Sequence, residues 1–70
     1  MSSKRRENKL KKAAMKQGME ELKQLNAELI ANYRVFNLVS DPIAMETCIY
    51  EINALRSRRD SVLHDMRSME

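Results

Sequence analysis

One cysteine, one glycine, one proline, no tryptophan and only three other aromatic residues occur in 70 positions, and each scarcity excludes something. A lone Cys48 rules out an intramolecular disulfide and a cysteine-based zinc site. With so few turn-forming residues the chain suits long helices and not a many-stranded sheet. No apolar run approaches the roughly 20 residues that a membrane span needs. The basic N-terminal stretch is followed by no apolar stretch, so a secretory signal is not expected. The composition therefore predicts a soluble, cytoplasmic, all-α protein, and 70 residues leave little material for a core.

Charge is what the chain has in quantity, at 33% of residues, and it is unevenly placed. Lys4, Arg5, Arg6, Lys9, Lys11, Lys12 and Lys16 face one acid, Glu7, within residues 1–16, a balance of seven minus one, or +6. Residues 17–70 hold the remaining six basic and nine acidic residues, or −3. This split predicts a basic, partly flexible arm over 1–16 joined to a helical body over 17–70.

The body folds in half at Ser40-Asp41-Pro42. Upstream, Met15, Met19, Leu22, Asn26, Leu29, Tyr33 and Phe36 recur at alternating steps of four and three, a heptad seam widened by Leu25 and Ile30. Gly18 is a weak point, costing up to about 1 kcal/mol against alanine, and fraying is expected upstream of it. The first helix is predicted over about 8–38. Asp41, or Ser40 one residue earlier, can cap a second helix over about 42–69, with Pro42 at its first position. Met45, Cys48, Ile49, Ile52, Leu55, Val62, Leu63, Met66 and Met69 form its stripe, interrupted at Arg56-Ser57-Arg58-Arg59. So short a connection demands antiparallel neighbours whose numbers sum to about 81 at equal rise. Leu29 then meets Ile52, and Leu22 falls opposite Arg59. Both stripes are wider than one seam, with Leu25, Ile30, Val35, Ile49 and Leu63 to the side, so two hairpins should pair into a four-helix bundle.

The segment Phe36-Asn37-Leu38-Val39-Ser40-Asp41-Pro42, the run Ile49-Tyr50-Glu51-Ile52-Asn53-Ala54-Leu55, Arg58 and the pair Val62-Leu63 together resemble the YaaL-like family. These are small proteins of unknown function from spore-forming Gram-positive bacteria. The resemblance spans residues 36–63, about half the chain. Two positions depart from the family pattern: Ile43-Ala44-Met45 follows the proline where acidic and aliphatic residues are usual, and Arg59 stands where an aromatic is usual. The resemblance implies a small cytoplasmic bacterial helical protein and carries no activity.

Among candidate sites the basic arm is the strongest. Its seven cations could neutralise phosphates of nucleic acid with strong salt dependence, or lie on anionic lipid, which ranks lower; they also fit a purely solubilising extension. No aromatic residue occurs before Tyr33, so the stacking groups of single-strand readers are missing there. A basic region running into a heptad is faintly like a bZIP protein, but the Pro42 break argues against it. Arg56, Arg58 and Arg59 point in different directions, with Arg59 towards the seam and Arg56 within reach of Asp60. Asn26 on the seam could fix register or bond at the rim. Tyr50 should pack beside the core with a wet hydroxyl. His64 between Asp60 and Asp65 is a poor ligand set, Cys48 faces the core, and Glu20-Glu21 lie on the exterior of a helix. No catalytic, cofactor or metal residue is assigned and no small-molecule substrate is expected. The sequence points to a non-catalytic interaction or adaptor protein that pairs with itself and with an unidentified protein. Met15, Met19, Met66 and Met69 offer an adaptable place for that partner to insert. A nucleic-acid accessory role through residues 1–16 is the alternative.

Overall fold

The computed structural model describes residues 2–69, and side chains from Ser3 to Met69. Met1 and Glu70, the outer ends of the two expected regions, lie outside the described residues. Two helices make up the fold, α1 over Ser2–Leu38 and α2 over Pro42–Ser68, packed as an antiparallel hairpin. It measures 61 × 15 × 12 Å, which is two helices wide and one helix thick.

The connection forms as its residues dictate. Asp41 sits in extended backbone at φ −73°, ψ 125°, and its carboxylate accepts the backbone N–H of Ala44 at 3.2 Å. Pro42 follows at the first helical position, where its missing N–H costs no hydrogen bond. Of the two candidate caps, Asp41 therefore takes the role. On the other side, Val39 N–H still bonds Val35 carbonyl at 3.1 Å, closing the last turn of α1. Far along α2, Arg67 lies in the last turn, where a cation complements the helix dipole.

α1 begins at Ser2, about two turns earlier than the sequence pattern predicts, and runs through Gly18 without a break. The glycine is buried, because the side chain of Met66 packs over it. A Cβ placed on Gly18 would lie 2.9 Å from both Cγ and Sδ of Met66. The residue read as a weakness in the helix is thus the notch that seats Met66.

The buried core is small: Leu25, Leu29, Cys48, Ile52 and Val62, with Gly18. Half-buried Met15, Leu22, Asn32, Phe36 and Val39 complete the α1 seam, and Met45, Leu55, Arg59, Met66 and Met69 that of α2. The α2 seam keeps Met45, Cys48, Ile52, Leu55, Val62, Met66 and Met69 of the predicted stripe, with Arg59 turned towards it as expected, while Ile49 is exposed beside it. In α1 the seam runs 15, 18, 22, 25, 29, 32, 36, 39, alternating three and four. It shares Met15, Leu22, Leu29 and Phe36 with the expected register. The intervening positions differ by one: Gly18, Leu25 and Asn32 replace Met19, Asn26 and Tyr33. Met19 is 61% and Tyr33 44% exposed, while Leu25 is only 6% exposed. Leu25 decides this register, since burying it stabilises and burying Asn26 in its place would cost a desolvated amide. The polar seam residue is Asn32, whose Nδ2 donates to Glu28 carbonyl at 2.9 Å within its own helix.

Candidate interaction surfaces

Contacts across the seam fix which way the two broad faces of the hairpin point. Arg58 Nε and Nη2 both donate to Glu21 Oε1, at 2.9 and 2.7 Å. The same side carries a hollow of about 170 Å³ lined by Ala14, Gly18, Val62, Asp65, Met66 and Met69, among others. Further towards the turn it carries a groove of about 390 Å³ lined by Glu28, Asn32, Tyr50, Glu51, Ala54 and Leu55. This is the polar face. Glu21 and Arg58 sum to 79, and Gly18 and Met66 to 84, bracketing the register predicted from equal rise.

Helical spacing puts Met19, Asn26 and Tyr33 of α1, with Ile49, Arg56 and Leu63 of α2, on the opposite face. Ile30 lies beside them. Met19, Ile30, Tyr33 and Ile49 are 61, 53, 44 and 46% exposed, and Leu63 is half-buried. The residues placed to the side of the seam in the sequence reading thus do lie there, Leu25 excepted, and all of them but Leu63 are exposed. Ile30, Tyr33 and Ile49 are exposed beside the core and Leu63 is half-buried at its edge, so of the residues expected in core or interface these four stand outside the buried core. Val35 lies instead towards the polar face, 48% exposed.

The turn end exposes more apolar surface on its outer sides, with Leu38 85%, Ile43 73% and Tyr50 76% exposed. Tyr50 stands at the mouth of the groove and contacts the core less than the sequence suggests. At the other end α2 is shorter than α1, and the last α1 residue lining the seam hollow is Ala14. Residues 2–13 therefore project as a bare helix about 18 Å long at 1.5 Å per residue. Lys4, Arg5, Arg6, Lys9, Lys11 and Lys12 on it, and Lys16 just inside, are all exposed. At 100° per residue the seven cations cover about 220° of arc. Leu10 falls in the remainder, where Arg6, Lys9 and Ala13 flank it.

Other candidates stay apart. Arg56, Arg58 and Arg59 diverge: Arg58 pairs with Glu21, Arg59 lies half-buried with Asp60 Oδ1 3.8 Å from its Nε, and Arg56 is exposed on the apolar face. Asp60 thus approaches Arg59, not Arg56, whose pairing across one turn was expected. His64, Asp60 and Asp65 are exposed, and no group of three or more His, Cys, Asp or Glu is placed to hold a metal among the described residues. Cys48 is a buried free thiol, as its place on the stripe predicts. No helix among the described residues is long and apolar enough to cross a membrane. No protein-family model, curated protein or solved structure matches the chain.

Two signals could have located the surfaces from sequence. One is the choice of Leu25 over Asn26 as a seam residue. The other is the length difference between the helices, which goes with the exposure of residues 3–13.

Proposed function

We propose that this chain is a small non-catalytic interaction or adaptor protein of the cytoplasm, one that presents helical surfaces to protein partners. The observation that carries the reading is how little the hairpin hides. Its accessible surface is 6114 Å², whereas a compact monomer of its mass would expose about 4,500 Å². Exposed Leu38, Ile43 and Tyr50 put apolar surface on the outer sides of the turn end, and Tyr50 with Ala54 and Leu55 lines a groove where a partner side chain can insert. The methionine-lined hollow at Met66 and Met69 is a second place where a partner side chain can insert. The likeness of residues 36–63 to YaaL-like proteins supports membership of that bacterial family, which adds no activity.

A second reading has its own observation. The projecting helix over 2–13 carries six cations, all exposed, the electrostatic footprint of a nucleic-acid accessory protein. Titration of the chain against labelled duplex and single-stranded nucleic acid, at low and physiological salt, separates the two. In parallel, a photocrosslinking residue is placed at Tyr50 and at Lys12 in living cells. The adaptor reading expects protein adducts from position 50 and binding to nucleic acid that vanishes at physiological salt. Tight binding that persists at physiological salt and is lost on Lys9→Ala/Lys11→Ala/Lys12→Ala would replace it with the nucleic-acid reading.

A further inference from the structure

We infer that the face carrying Met19, Ile30, Tyr33, Ile49 and Leu63 is covered by the same face of a second copy of this chain. The two copies are related by a two-fold axis parallel to the helices. The inference deepens the interaction reading by naming one partner, and the two can fail separately.

Area is the first argument. The stretch of α1 that shares a seam with α2, from Met15 to Phe36, is about 32 Å long at 1.5 Å per residue, and the hairpin is 15 Å wide. That is a footprint on the order of 500 Å² in projection, and more once the surface follows the side-chain ridges. Standard interfaces take about 800 Å² of accessible surface per partner. The chain exposes about 1,600 Å² beyond a compact protein of its mass. Pairing on this face would bring the slab, one helix thick, to a bundle two helices thick.

The distribution of charge selects both the occupant and its direction. Along the face the residues form three layers: Met19 with Leu63, Asn26 with Arg56, and Tyr33 with Ile49. An axis parallel to the helices sets each layer on its own counterpart, with α1 of one copy on α2 of the other. Apolar layers then meet apolar layers, and Arg56 meets the amide of Asn26 in the second copy. On the outer rim Lys23 comes opposite Asp60 of the second copy, twice by symmetry, and Ile30 covers Asn53. Lys16 and Arg67 approach each other only at the open end, where both are exposed and screened. The other closed arrangement has its axis perpendicular to the helices and sets α1 on α1. It stacks Arg56 on Arg56 at the centre of the interface, where like charges are desolvated and costly. The parallel axis also sends both basic segments out of the same end.

Single-cysteine cross-linking of the full chain reads the geometry directly, because buried Cys48 makes the unaltered chain the background control. Asn26→Cys, Arg56→Cys and Gln24→Cys all replace exposed residues, so folding is spared. With the axis parallel to the helices, position 26 of one copy lies on position 56 of the other, and an equal mixture of Asn26→Cys and Arg56→Cys chains forms a mixed disulfide-linked dimer on mild oxidation, in excess of either variant alone. Gln24→Cys, on the polar side, forms none. Dimers from Asn26→Cys alone and from Arg56→Cys alone, without the mixed species, would overturn the parallel axis, because the perpendicular axis sets each of these positions on its own counterpart. Dimers from Gln24→Cys only, or from no variant and no mixture, would overturn the interface itself. Protein adducts from Tyr50 in cells would then still uphold the adaptor reading.

Discussion

Replacing Gly18 by alanine sets two effects of opposite sign against each other. In an exposed helix the change stabilises by about 0.8–1.0 kcal/mol, because glycine gives up more backbone freedom on folding. Here the new methyl group would sit 2.9 Å from Met66 Cγ and Sδ, well inside contact distance. Met66 must rotate off its rotamer or the helices must part, and overfilling of this kind costs about 1–3 kcal/mol. The net expectation for Gly18→Ala is a loss of about 0–2 kcal/mol. Met66→Ala alone costs about 1–2 kcal/mol, below the range for fully buried side chains, since Met66 is half-buried. In the Met66→Ala background the clash is gone, and Gly18→Ala should stabilise by up to about 1 kcal/mol. The coupling between the two sites is then about 1–3 kcal/mol, readable from urea unfolding followed by helix ellipticity. Protein concentration is held fixed, since self-association would move the midpoint. A stabilisation near 1 kcal/mol from Gly18→Ala in both backgrounds would refute the reasoning, because it would mean the notch is not there.

Three further substitutions test the rest of the framework. Leu25→Ala should cost about 2–4 kcal/mol and Asn26→Ala less than about 0.5 kcal/mol, and equal losses in urea melts would contradict the seam. Asp41→Ala removes the cap on Ala44 N–H and should cost about 1 kcal/mol, while Asp41→Asn, which keeps an acceptor, should lose a few tenths. Arg58→Ala should cost under about 1 kcal/mol, shrinking as salt rises, because the arginine and Glu21 side chains are 64% and 36% exposed. A loss above 2 kcal/mol, or one indifferent to salt, would show that this ion pair holds the hairpin together.

The hairpin itself was legible because its signals are local and agree with one another. Asp41-Pro42 supplies a cap and a preset first helical residue, and the stripe of α2 keeps one unambiguous period. The stripe of α1 is wide, and periodicity alone does not say which of two adjacent residues faces in. Met19 and Tyr33 made one answer attractive by their size. Packing of Leu25 and the approach of Met66 to Gly18 decide for the other. Gly18 illustrates the limit well: propensity knows its cost within one helix and cannot know that another helix needs the space. The start of α1 at Ser2 was hidden for a related reason, since crowded cations near a helix N-terminus argue locally for fraying. The surfaces beside the seam were visible as surplus apolar residues, whereas their division into a polar and an apolar face required the Glu21–Arg58 contact.

Sedimentation equilibrium of the full chain over a wide micromolar range reads directly whether a hairpin this open completes itself on a second copy. The expected outcome is a mass approaching twice 8.2 kDa and a return towards the single-chain mass when Ile30 and Ile49 are both changed to glutamate. A mass of 8.2 kDa throughout, with helix content and unfolding midpoint independent of concentration, would contradict it.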